Sequence, residues 1–271
     1  MKKQKTRTLR ACKPNPGIRA AYRKALETLI REMRNDVEAK VLEEYGSMES
    51  RIAQDWEWRS PAVRMSEVLD GVFRKWVKRF ENAALTISTK FVKGIRFGVQ
   101  RNRRQALKEM GVGGIKFNQS RFANETFEAA LLENVNLIRT IPQRYLDDVS
   151  NKVQRAVSGG LQRRELAEDL YNSYDISFKR AKVIARDQTN KATQALARAT
   201  DKEIGITEGI WIHVPGRLTS RPSHIRMNGE RFKIDEGLYD PEVGRKVKCG
   251  ELILCACEYR PVLPENWGVT E

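Results

Sequence analysis

The feature that most constrains this chain is a change of hydrophobic period at Gly205. Upstream of it apolar residues recur every three or four positions, which paints one stripe along a helix; downstream they alternate, which paints one face of a strand. The fold class this implies is α+β: a long-helix N-terminal region followed by a small C-terminal module of helix plus antiparallel sheet.

Several helices can be drawn upstream. Tyr22, Leu26, Leu29, Met33, Val37, Val41 and Tyr45 form the first stripe, with Gly46 as its stop. Ser60-Pro61 pairs a cap residue with proline at the first helical position, and opens a second helix through Val68, Val72, Trp76, Phe80, Ile87, Phe91 and Ile95 to about Gly111. A third covers about 124–138. Thr140 and Pro142 restart a fourth, which carries Tyr145, Val149, Val153 and Val157 and closes at Gly159-Gly160. A short helix over 163–171 follows, then one capped by Ser177 whose small inner face (Ala181, Ala185, Ala192, Ala195, Ala199) would admit a close partner, ended by Gly205.

Downstream, Ile210, Ile212 and Val214 alternate with Trp211 and His213 as a strand. Asn228-Gly229 between 224–227 and 230–234 predicts a β-hairpin. Alternation from Leu252 to Tyr259 puts Ile253, Cys255, Cys257 and Tyr259 on one face. The domain division that follows is 1–158, a basic helical domain with a flexible N-terminal arm, and 159–271, a module with helices over 163–204 and an antiparallel sheet over 206–260.

Charge separates these two parts. The chain carries +15 overall, but residues 1–158 hold 32 Lys+Arg against 18 Asp+Glu, and residues 159–271 hold 18 against 17. Lys90, Lys93, Arg96, Arg101, Arg103, Arg104 and Lys108 lie in a stretch with no acid between Glu81 and Glu109. Such a row suits a polyanion, and names these seven residues as candidate DNA contacts; its bland alternative is a solvated helix face. The basic start (Lys2, Lys3, Lys5, Arg7, Arg10, Lys13) runs into Pro14-Asn15-Pro16-Gly17 where a secretory signal would need its apolar stretch, and no run is long enough to span a membrane. A folded protein of the cytoplasm, with no membrane partner, is expected.

Cysteine and histidine are sparse. Cys12 stands alone, whereas Cys249, Cys255 and Cys257 lie close in sequence; the histidines are His213 and His224. Three thiolates and one imidazole would complete a tetrahedral zinc site, so His224, Cys249, Cys255 and Cys257 are the candidate metal ligands and zinc the candidate cofactor. The other reading of the same residues is a packed thiol cluster beside a histidine. His213 reads as a packed or hydrogen-bonded strand residue. Neither histidine sits beside a nucleophile elbow or a phosphate-binding glycine loop, and no catalytic residue is assigned.

The series Ser177-Phe178-Lys179-Arg180-Ala181, Ile184-Ala185-Arg186-Asp187-Gln188, Lys191-Ala192, Gly205-Ile206, Trp211, Arg221-Pro222-Ser223-His224, Met227-Asn228-Gly229, Gly250-Glu251-Leu252-Ile253, Cys255-Ala256-Cys257 and Pro261-Val262 resembles the F-like minor head protein family of tailed phages. That family is typified by the phage Mu F protein and labelled head morphogenesis protein. The resemblance covers roughly the last hundred residues. Two departures stand out: the family has proline where this chain has Cys249, and arginine where it has Ala256. Only His224, Cys255 and Cys257 are therefore supported by it as ligands. It implies a structural, non-enzymatic minor capsid protein of the virion, bound at or near the portal inside the capsid. The part expected is in head morphogenesis and in DNA packaging or ejection, with host cytoplasm as the place of assembly. The partners implied are the portal protein, the major capsid protein and double-stranded DNA bound non-specifically. The rival class is a virion-delivered nuclease or toxin-like enzyme, for which the acids near His224 (Glu230, Asp235, Glu236, Asp240) are available but not singled out by spacing.

Overall fold

A computed structural model of the chain describes residues 7–51, 60–118, 120–159, 162–215 and 220–265. Four long helices come first: α1 (Pro16–Arg51), α2 (Pro61–Glu109), α3 (Arg121–Gly159) and α4 (Arg163–Glu203). Then follow β1 (Glu208–Ile212), the short α5 (Pro222–Arg226), β2 (Arg231–Lys233), β3 (Leu238–Asp240), β4 (Arg245–Val247) and β5 (Glu258–Val262). The α+β expectation holds. Contacts group the residues into two compact units, one formed by 1–20, 89–132 and 185–271, the other by 21–88 and 133–184. The first unit therefore draws on chain from both sides of Gly159; Gly160, like Lys2, Lys3 and Lys5, lies outside the described residues.

Among the described residues the second unit is built from helices. Leu26, Ile30, Met33, Val37 and Val41 of α1, Met65, Val72 and Phe80 of α2, Ile138, Tyr145, Val149 and Val153 of α3, and Leu166 and Leu170 of α4 are all buried. Each such side chain contributes roughly 1.5–3 kcal/mol when removed from water. Some polar groups inside it are partnered: Tyr22 Oη donates to Asn134 Oδ1 at 2.8 Å, and Trp76 Nε1 to Asp36 Oδ2 at 2.7 Å.

Three expected boundaries fall inside continuous helices. α1 runs through Gly46 to Arg51, α3 runs through Pro142, and α4 runs through Ser177, which is buried in its middle. An interior glycine costs up to ~1 kcal/mol and an interior proline ~3 kcal/mol. Around Pro142 and Ser177 the stripe continues, as with Ile138, Ile141 and Tyr145 at Pro142 and Leu170 and Ala181 at Ser177, and its burial outweighs the local cost. The ends at Gly111 and Gly205 do follow the rule. Both glycines have positive φ (79° and 82°), and the following amides, Val112 N and Ile206 N, bond back to Leu107 O and Asp201 O as in a Schellman cap.

In the first unit β1 lies between β2 and β5, antiparallel to both, with Gly209 opposite Phe232 and Pro261. The chain near the N-terminus is tied to this sheet. Thr8 bridges Val262, Leu9 N donates to Pro261 O, and Leu9 is buried with Ala106, Leu107, Ile206 and Leu263. From Arg7 onward the expected flexible arm is thus a packed element.

Two strand expectations are corrected. Residues 222–226 form a helix turn, because Pro222 occupies its first position and presets φ there. Asn228-Gly229 still makes a tight turn, with Glu230 N donating to Met227 O and Gly229 at φ 89°, but it leads from α5 into β2, and β2 pairs with β1. Residues 251–257 are turn and irregular chain, with Leu254 at φ 59°, and strand begins only at Glu258. Ile253 is accordingly 66% exposed while Cys255, Cys257 and Tyr259 are buried. A separate hairpin, β3 with β4, completes the unit.

Candidate metal centre and basic helix face

The cysteine segment is held in place by one face of α4. Asp187 Oδ1 accepts from Leu254 N at 2.6 Å, Asn190 Nδ2 donates to Cys255 O at 3.4 Å, and Arg198 Nη1 donates to Cys249 O at 2.7 Å. Gly250 lies so close to the helix that a Cβ there would stand 2.8 Å from Gln194 Cγ. These straps fix which thiols converge.

Cys255 Sγ lies 3.4 Å and Cys257 Sγ 3.5 Å from His224 Nδ1, all three residues being buried. The three ligand atoms lie within 4.8 Å of one another, a donor set able to hold a metal ion. Trp211 presents its ring edge to His224, centroids 5.4 Å apart. On the far side of the imidazole, Nε2 stands 3.2 Å from Asp240 Oδ2, within ion-pairing distance though short of an aligned hydrogen bond for either atom. Burial acting alone would lower the His224 pKa; the hydrogen bond with Cys255 and the charges of Cys255 and Asp240 outweigh it and raise it. Hydrogen bonding from Cys257 and proximity to His224 hold the Cys255 thiol well below the ordinary range, while Cys257, sharing that bond, is pushed up.

Cys249 is not brought into this set. Its Sγ donates to Glu258 O at 3.1 Å, and burial holds its thiol pKa well up. It is not among the residues whose ligand atoms lie within 4.8 Å of one another. A residue outside the expected ligand set adjoins the cluster: His213, just past β1, has Nδ1 3.7 Å from Cys257 Sγ. The strand alternation already put His213 on the same face as Trp211; nothing local signalled that Cys257 would meet it.

The basic row divides by environment. Lys90, Lys93, Arg101, Arg104 and Lys108 are exposed on α2. At 3.6 residues per turn these five, with Phe97, fall within an arc of about 80°. Phe97 is 69% exposed, an aromatic ring set among cations. Arg104 lies over the Phe117 ring at 5.1 Å; Arg96 is half-buried, donates to Asn124 Oδ1 and lies over Phe127.

Arg103 corrects the expectation. It is fully buried, with Nε 2.6 Å from Asp201 Oδ1 and Nη2 2.8 Å from Asp201 Oδ2, and it donates to Arg10 O at 2.9 Å. Tyr259 Oη donates to the same carboxylate at 2.5 Å. Burial would lower the Arg103 pKa, but the Asp201 carboxylate more than offsets that, so the guanidinium stays charged inside the unit. It is a core ion pair and has no route to a phosphate.

Residues 147–260 match the family model described as Phage Mu protein F like protein, so the C-terminal part of the chain is Mu F-like. The chain is also similar to an uncharacterized protein of Haemophilus influenzae, 27% identical over 270 residues, covering 97% of this chain and 57% of that protein. It thus spans little more than half of that relative's length. No solved structure matches the chain.

Proposed function

We propose that this chain is a structural protein of a tailed-phage head that acts in head morphogenesis at or near the portal and lies against the packaged DNA. The observation that carries the reading is the Mu F-like match over 147–260. In this reading the Mu F-like part docks on the portal, with the major capsid protein as a second neighbour, and the protein resides in the capsid interior after assembly in the host cytoplasm. Among the described residues no helix is long and apolar enough to cross a membrane. A nuclease would gather carboxylates around a hard divalent cation. The grouped ligand atoms among the described residues are instead those of His224, Cys255 and Cys257, a soft set suited to a structural ion. That chemistry supports a structural role over an enzymatic one.

The test is the composition of purified particles. The protein is expected in portal-bearing procapsids and mature heads at a fixed low copy number, and absence from every head intermediate overturns the reading.

The DNA contact makes a separate prediction. Lys90, Lys93, Arg101, Arg104 and Lys108 on one face can meet phosphates without reading bases. If all five do so, log K against log salt has a slope of about −4.5 for duplex DNA of any sequence. Replacing Lys90, Lys93, Arg101 and Arg104 by glutamine should flatten the slope to about −1. An unchanged slope assigns DNA contact to another surface.

A further inference from the structure

We propose that His213, His224, Cys255 and Cys257 form a tetrahedral zinc site, with His213 rather than Cys249 as the fourth ligand and Asp240 as the carboxylate that orients His224. The spacing of donors is the first argument. Around a tetrahedral zinc with ordinary Zn–S and Zn–N lengths, a sulfur and a nitrogen ligand stand ~3.6 Å apart. Three of the four sulfur–nitrogen distances here are 3.4 Å (Cys255–His224), 3.5 Å (Cys257–His224) and 3.7 Å (Cys257–His213). A small cavity of about 10 Å³ is lined by these four residues together with Arg221 and Leu254 among others, of the order that holds one water-sized species.

The second argument is the imidazole itself. His224 turns Nδ1 to the sulfurs and Nε2 to Asp240, whose carboxylate is fully buried and whose Oδ2 has no hydrogen-bond partner among the described residues. A carboxylate behind a histidine fixes the tautomer that leaves the opposite nitrogen free to ligate, and this is the usual outer partner of a zinc-bound histidine.

The third concerns the fourth position. Cys249 Sγ is committed to Glu258 O, and Asp240 faces the wrong side of the ring. His213 stands outside the group of three whose ligand atoms lie within 4.8 Å of one another, but it is half-exposed and adjoins Cys257. Its backbone is anchored, since its N–H donates to Asn228 Oδ1 at 2.9 Å, so ligation would require its side chain to rotate toward the ion. The ligands come from three separate segments: the end of β1, α5, and the irregular chain before β5. One ion would therefore cross-link a sheet whose β2 has only 3 residues, the kind of small structure that a metal staple stabilises.

The experiment uses the full-length chain purified under reducing conditions. Zinc should be present at about one per chain, and the Co(II)-substituted protein should show the intense visible bands of tetrahedral coordination with thiolate charge transfer. Cys249→Ser should leave metal affinity and spectrum unchanged. His213→Gln should weaken binding by at least ~10-fold and shift the cobalt bands. Zinc far below one per chain, with no cobalt bands in folded reduced protein, overturns the site on the wild-type protein alone, whatever the variants do. Metal binding that is lost in Cys249→Ser but kept in His213→Gln overturns the ligand assignment.

Discussion

Asp201→Ala should cost about 3–5 kcal/mol of folding stability, the largest single-residue effect expected from a polar group in this protein. The carboxylate accepts two bonds from Arg103 and one from Tyr259, and the side chains of both Arg103 and Asp201 are fully buried. Without it a permanently charged guanidinium remains in the interior with Arg10 O and Asn102 Oδ1 as its remaining partners. The cost is thus mainly that of the stranded charge rather than the worth of the pair. This leads to a second expectation. Arg103→Met with Asp201→Leu removes both charges at similar volume, and should recover most of the loss. Urea unfolding of the two variants beside the wild type decides the matter; an Asp201→Ala protein within 1 kcal/mol of wild type would mean that water reaches Arg103.

Arg103 also shows where reading the sequence stops. Its neighbours Arg101 and Arg104 are exposed, as a basic row suggests, and a charge count treats all three alike. What removes Arg103 from the row is Asp201, nearly a hundred residues further on, and no local pattern announces that partner. The helical stripes were legible because they depend only on spacing: Leu26 to Val41 and Tyr145 to Val153 are buried as drawn. Pro142 and Ser177 misled because local preferences of ~1–3 kcal/mol are smaller than the burial of the stripes running past them. Of the proposed ligands, His224, Cys255 and Cys257 converge, whereas Cys249, just as near in sequence, gives its thiol to Glu258 O. His213 could be placed on a strand face from alternation alone, but its approach to Cys257 is a product of tertiary folding.

Trp211 ties the sheet to that cluster, and Trp211→Ala should cost about 3–5 kcal/mol. The indole is fully buried on β1, edge-to-face with both His224 and Phe232 at 5.4 and 5.6 Å between centroids. Truncation leaves a cavity at the centre of the first unit and removes the wall that positions His224. Trp211→Phe makes a sharper test. The indole Nε1 has no hydrogen-bond partner among the described residues, so phenylalanine forfeits only ring area and contacts while relieving a buried, unsatisfied donor. It should cost less than half of the alanine loss, and should keep the His224 environment close to that of the wild type. Thermal or urea unfolding supplies the stabilities, and the His224 ring proton shifts report its surroundings. If phenylalanine proves as damaging as alanine, the indole N–H is satisfied in solution, and the role of Trp211 includes a polar contact that packing alone does not provide.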